Sequence, residues 1–157
     1  MQQTINQDIR KNFEEKVSYV ASIVTGMTVT DQPGFLTVDC GLPSDTFNVI
    51  VVRDLSEPQQ LLASIDHFTS KGFPMAAWCW ENDVNNAEFS HLTRHRLIHA
   101  EVETSMCLDL SEFQPAEPVY SQGLEIRPVT TVADLQTFGN VVTGGFGTSD
   151  ESIYVRA

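Results

Sequence analysis

The chain has 157 residues, 41% of them hydrophobic, enough for one domain with a real core or for one domain and the start of another. Its 9 basic and 21 acidic side chains leave a net charge of −12, which repels phosphate backbones and anionic lipid and so argues against nucleic acid and membrane surfaces as partners. No apolar run approaches the roughly 20 residues of a membrane span, the Gln-rich N-terminus lacks a secretory apolar region, and Cys40, Cys79 and Cys107 stand far apart in strand-like runs; a cytoplasmic protein with reduced, buried thiols is expected.

In chain order, Ile5, Ile9, Phe13, Val17, Val20 and Val24 recur every three or four residues, which predicts an amphipathic helix ended near Gly26. Residues 34–41 predict a first strand, Leu42-Pro43-Ser44-Asp45 a turn, and the near-continuous apolar run 47–52 a central second strand. Ser56 is placed to cap a further helix, with Pro58 in its first turn, Leu61, Leu62, Ile65 and Phe68 on its buried face and Gly72 at its end. The uncharged run 73–80, which includes Trp78 and Trp80, predicts a strand covered on both faces. A helix joining two neighbouring strands makes a right-handed crossover, so 47–52 and 73–80 are expected to run parallel.

Glu81-Asn82-Asp83 offers caps for a helix from Val84 to about Arg96, and residues 98–110 alternate again, with Ala100, Val102, Met106, Leu108 and Leu110 at even positions. These segments together predict an α/β (α+β) fold: a mixed sheet with strands near 35–40, 47–53, 74–80 and 98–110 adjacent and helices on both faces. Residues 111–123, with two prolines, a glycine and no period, read as a linker or an extended crossing strap. Beyond it come a short strand at 124–129 and a helix capped by Thr130 or Thr131, with Leu135, Phe138, Val141 and Val142 on its face and Gly144-Gly145 at its end. A strand and one helix cannot enclose a core, so the apolar set of 124–157 is expected either to pack back on the first domain or to take cover from a further domain or a second copy.

The run from Trp78 to Leu110, with Asn85 and Ala87 early in its helix and Glu103-Thr104-Ser105-Met106-Cys107-Leu108-Asp109-Leu110 as its last strand, resembles the closing segment of GNAT-family N-acetyltransferases. Leu124 to Gly147, with its Ile-Arg-Pro strand, Asp-Leu helix and Gly-Phe-Gly end, is similar to the opening of such a domain. An ending followed by a beginning implies a two-domain member: a degenerate GNAT-like domain at 1–110, a linker at 111–123 and an incomplete second domain at 124–157. Leu42-Pro43, Phe47 and Asn48 resemble the pattern that such N-terminal domains carry on their early strands.

The resemblance further implies an acetyl-CoA pyrophosphate held on bare amides at a helix start, behind spaced glycines. The equivalent loop, Arg53-Asp54-Leu55-Ser56-Glu57-Pro58, has no glycine, two carboxylates and a proline that deletes an amide. No cofactor is therefore expected in this chain, although acetyl-CoA is expected in a complete family member, and the expected role is the accessory, acceptor-side part of an acetyltransferase. The alternative is a binding or dimerisation module that kept the fold and lost the chemistry. A homodimer or the missing C-terminal GNAT domain is the implied partner.

Phe47, Asn48, Trp78 and Trp80 are the candidate substrate or interface residues; no catalytic residue is singled out. The two tryptophans point the same way in a strand and suit a core layer better than a ligand shelf. His91, His95 and His99 recur every four residues, but no Cys or Asp joins them and His99 falls past the expected helix end, so no metal is expected. Ser44-Asp45 with His67 could be drawn as a nucleophile set, yet no glycine elbow surrounds the serine and the set is put aside.

Overall fold

A computed structural model of the chain describes residues 2–81, 84–94, 96–108, 110–114 and 123–146. The chain falls into two compact units, Met1–Glu103 and Thr104–Ala157. The first holds helix α1 (Gln2–Ile23), strands β1 (Thr28–Gln32), β2 (Phe35–Asp39) and β3 (Val49–Val52), helix α2 (Pro58–Lys71), strand β4 (Ala76–Cys79) and helix α3 (Asn86–Thr93). The second holds helix α4 (Val132–Phe146).

The four strands form one mixed sheet in the order β1-β2-β3-β4. Pro33-Gly34 joins β1 to β2 as a two-residue hairpin loop, with Gln32 opposite Phe35. β2 and β3 are also antiparallel, whereas β3 and β4 are parallel, with Val49 opposite Ala76 and Val52 opposite Cys79. The expected crossover through α2 is the reason: a helix returns the chain to the end from which β3 began.

Period-2 alternation sorts β2 and β3 onto two faces. Phe35, Ile50 and Val52 pack against Leu61, Ile65 and Phe68 of α2 and against Val84, all of them buried. Leu36, Val38, Val49 and Val51 pack on the opposite face against Ala21 of α1, with Phe13, Val17 and Trp78 partly buried beside them. Each fully buried side chain of Leu, Ile or Phe size contributes about 1.5–3 kcal/mol.

Helix α2 ends as expected, with Gly72 left-handed (φ 66°) and Phe73 N–H donating to Phe68 O at 3.0 Å. Its start differs: Glu57 is the N-cap residue and makes no side-chain cap bond, because Ser56 is drawn to Asp54, whose carboxylate accepts from both the Ser56 amide and the Ser56 hydroxyl. Helix α3 is shorter than 84–96. Asn85 caps it, accepting from Ala87 N–H and Glu88 N–H at 3.1 and 3.3 Å, while Val84 stays outside and is buried against the α2 core; Asn82 and Asp83 lie outside the described residues.

Two expected strands are absent from the described residues. At 98–108 and 110 the chain joins no ladder, and Ile98, Val102, Met106 and Leu108 are largely exposed. Alternation sorts side chains onto two faces but supplies no partner edge, and a strand needs both. The run 124–129 is likewise unpaired, with Ile126 exposed. β1 is a strand the sequence reading missed. In the second unit Thr131 caps α4, its hydroxyl oxygen accepting from Asp134 N–H at 3.1 Å, and the helix continues through Gly144-Gly145 to Phe146. No helix among the described residues is long and apolar enough to cross a membrane.

Candidate functional site

Asn48 is wholly buried. Its Oδ1 accepts from Cys40 N–H (3.1 Å) and Cys40 Sγ (2.9 Å), and its Nδ2 donates to Leu42 O (2.7 Å) and Pro74 O (3.1 Å). An amide so occupied fastens the end of β2, the turn and the approach to β4, and leaves nothing for a ligand. Phe47 beside it is 37% exposed. Trp78 and Trp80 are half-buried beneath α1: Phe13 meets both rings edge-on, with centroids 5.5 and 6.1 Å away, and Arg10 lies 5.6 Å from the Trp80 ring. The tryptophans are thus brought together as a packing layer.

The loop between β3 and α2 lies where strand pairing changes from antiparallel to parallel. Arg53 at its start is committed to other partners, donating through Nε and Nη2 to both oxygens of Glu14 (2.8 Å each) and through Nη1 to Asp31 and to Gln32 O (2.8 Å each). The bond to Glu14, reinforced by Asp31, raises the Arg53 pKa further despite partial burial. Hydrogen bonds from the Ser56 side chain and backbone lower the Asp54 pKa, so a full negative charge stands just ahead of the helix. Glu57 adds a second carboxylate at the N-cap, and Pro58 has no amide to offer.

A third place was not singled out from the sequence. Thr28 lies opposite Asp39 and Thr30 opposite Thr37, so these four side chains share the face that carries Phe35 and α2. The apolar core on this face draws on β2, β3 and β4 but not on β1. Between the short side chains of the β1–β2 ribbon and the flank of α2 runs a groove of about 570 Å³, bordered on the helix side by Ser64, His67 and Lys71. Those positions recur at helical spacing one step round from the buried stripe of Leu61, Ile65 and Phe68.

Asp39 fastens the end of this groove. Its Oδ2 meets His67 Nε2 at 2.7 Å and accepts from Lys71 Nζ at 2.9 Å, while Oδ1 accepts from Gly41 N–H at 2.7 Å. Burial by itself would raise the Asp39 pKa; the bonds from His67, Lys71 and Gly41 outweigh it and lower the pKa below the ordinary 3.8. Because Nε2 faces the carboxylate, a neutral His67 carries its proton there and keeps Nδ1 as an acceptor. Thr37 is 9% exposed, and its Oγ1 is buried with no hydrogen-bond partner.

His67 therefore finds its carboxylate in Asp39 and not in Asp45. None of Phe47, Asn48, Trp78 and Trp80 lines the groove. The available signals were the Thr-Val-Thr alternation of β1 and the i, i+4 pair His67 and Lys71 on α2. His91 lies in α3, His99 lies beyond it and His95 is outside the described residues; among the described residues no three His, Cys, Asp or Glu side chains gather as a metal set. No protein-family model matches the sequence, and no curated protein or solved structure matches it either.

Proposed function

We propose that this chain is the accessory, acceptor-side part of a GNAT-type N-acetyltransferase of the cytoplasm, with no complete acetyl-CoA site of its own. The single observation that carries the reading is the β3–α2–β4 unit. Its parallel pair and intervening helix put the loop 53–58 at a helix start, and that loop is closed by the protein's own carboxylates. A pyrophosphate there would meet Asp54 and Glu57, find no amide on Pro58 and have no use of Arg53. Of the three thiols expected to be buried, Cys40 is buried and Cys79 half-buried, whereas Cys107 is exposed. In this reading 1–110 is the degenerate domain, 111–123 the linker and 124–157 the opening of the catalytic domain, whose remainder or a second copy would cover Leu135, Phe138 and Val141.

Calorimetric titration with acetyl-CoA tests the closed loop: no heat of binding is expected, and micromolar affinity would overturn the reading. The coding sequence beyond residue 157 tests the assignment, since a glycine-rich pyrophosphate loop is expected there. The second reading, a binding module without acyl-transfer chemistry, is favoured by the hydroxyl-lined groove, which lies away from the loop 53–58.

A further inference from the structure

We infer that the groove between the β1–β2 ribbon and α2 is a binding site for a small neutral polyhydroxylated ligand, a sugar or polyol. The inference is independent of the acyl-transfer reading and uses none of its residues.

The donor and acceptor inventory selects the ligand class. Thr28, Thr30, Thr37 and Ser64 border the groove, and each hydroxyl both donates and accepts. Lys71 has one of its three N–H groups on Asp39, and a carboxylate with about four acceptor positions has three of them filled at Asp39. His67, whose Nε2 is taken by Asp39, has only Nδ1 left to face a ligand. A ligand whose own hydroxyls donate and accept in alternation satisfies such a wall; phosphate, which chiefly accepts, would leave the acceptors unmatched. An anion also meets a chain of net charge −12 whose local cation is already paired, and a cation would sit beside Lys71.

Thr37 supplies the independent observation. A buried hydroxyl without a partner costs about 1–3 kcal/mol, and this one belongs to a groove-lining residue that is nine-tenths buried. Its oxygen is sealed from the groove in this rotamer, so a ligand hydroxyl removes that cost once the Thr37 side chain turns about χ1 to present it. The groove volume of about 570 Å³ falls within the range of small-molecule sites.

The test is an amide-resolved NMR titration of the full chain with D-glucose, D-sorbitol and myo-inositol, alongside inorganic phosphate and putrescine as anionic and cationic probes. Saturable shifts at Thr28, Thr30, Thr37 and Ser64 are expected with at least one of the three polyols. Thr37→Val, which keeps the shape and removes the hydroxyl, should weaken that binding about tenfold while the melting temperature stays level or rises. Lys71→Met should weaken it as well, by a change confined to the groove. Failure of all three polyols to saturate overturns the inference, as does an unchanged affinity in Thr37→Val. Saturation by phosphate or putrescine alone overturns the ligand class.

Discussion

The two faces of the sheet are covered in different ways. On one, α2 lays Leu61, Ile65 and Phe68 on Phe35, Ile50 and Val52, and all six are at most 1% exposed. On the other, the longer α1 buries only Ala21 among its described residues, while Val20 and Ile23 remain 47% and 67% exposed. Helical period alone thus does not measure burial. α2 is closed in by the chain on both sides of it, since Leu55, Phe73, Phe89 and Leu92 also pack into its core. α1 is held in part by charge, through the two bonds from Arg53 to Glu14.

The largest test of this contrast is Phe68→Ala, which should cost about 3–5 kcal/mol in urea unfolding because the sealed face cannot collapse into the space. Phe13→Ala on the other face should cost half of that or less; equal losses would break the comparison. Asn48→Ala removes the partner of two carbonyls and an amide at once and should cost about 2–4 kcal/mol, read by the same unfolding curves. Arg53→Gln should cost about 1–2 kcal/mol and loosen α1 selectively. Faster hydrogen exchange is then expected in α1 and not in α2, and exchange rising equally in both would refute the division.

The smallest effect belongs to Asp39→Asn, about 1 kcal/mol or less at neutral pH, since His67 and Lys71 are each more than a third exposed and solvent screens them. Its pH dependence is nevertheless specific. The folded pKa of Asp39 is lowered, so the stabilisation is complete above the ordinary value of 3.8 and is lost as pH falls through the lower folded value. The difference between wild type and variant in thermal unfolding should therefore hold from neutral pH to about 5 and close below 3.8. A difference that persists unchanged below that lower folded value would contradict the assigned partners.

Much of the first unit was legible because each element carried its own local pattern. The stripe Leu61, Ile65 and Phe68 with Gly72 after it specified α2, and the run Val49-Ile50-Val51-Val52 specified a central strand. β1 was missed because Thr28 to Gln32 holds a single apolar residue, Val29; an edge strand with one face in water needs little hydrophobicity, and its signal was the β-branched threonines before Pro33-Gly34. The segment 98–108 shows the converse: full alternation with no ladder. The Asp39 contacts were illegible in principle from periodicity, because the carboxylate and His67 stand 28 residues apart and meet only once α2 is docked.

The amide of Asn48 acts as an error check on strand pairing. Pro74 O receives its Nδ2, and the Asn48 carbonyl receives Ala76 N–H at 3.0 Å, so both bonds require β4 to arrive in one alignment. A slip of one residue would turn Trp78 from the face of Val49 and Val51 onto that of Ile50 and Val52, where Phe68 leaves no room for an indole, and would strand a buried amide as well. One polar side chain in an apolar interior therefore adds to the misaligned sheet a penalty of its own, separate from the clash of the displaced indole with α2.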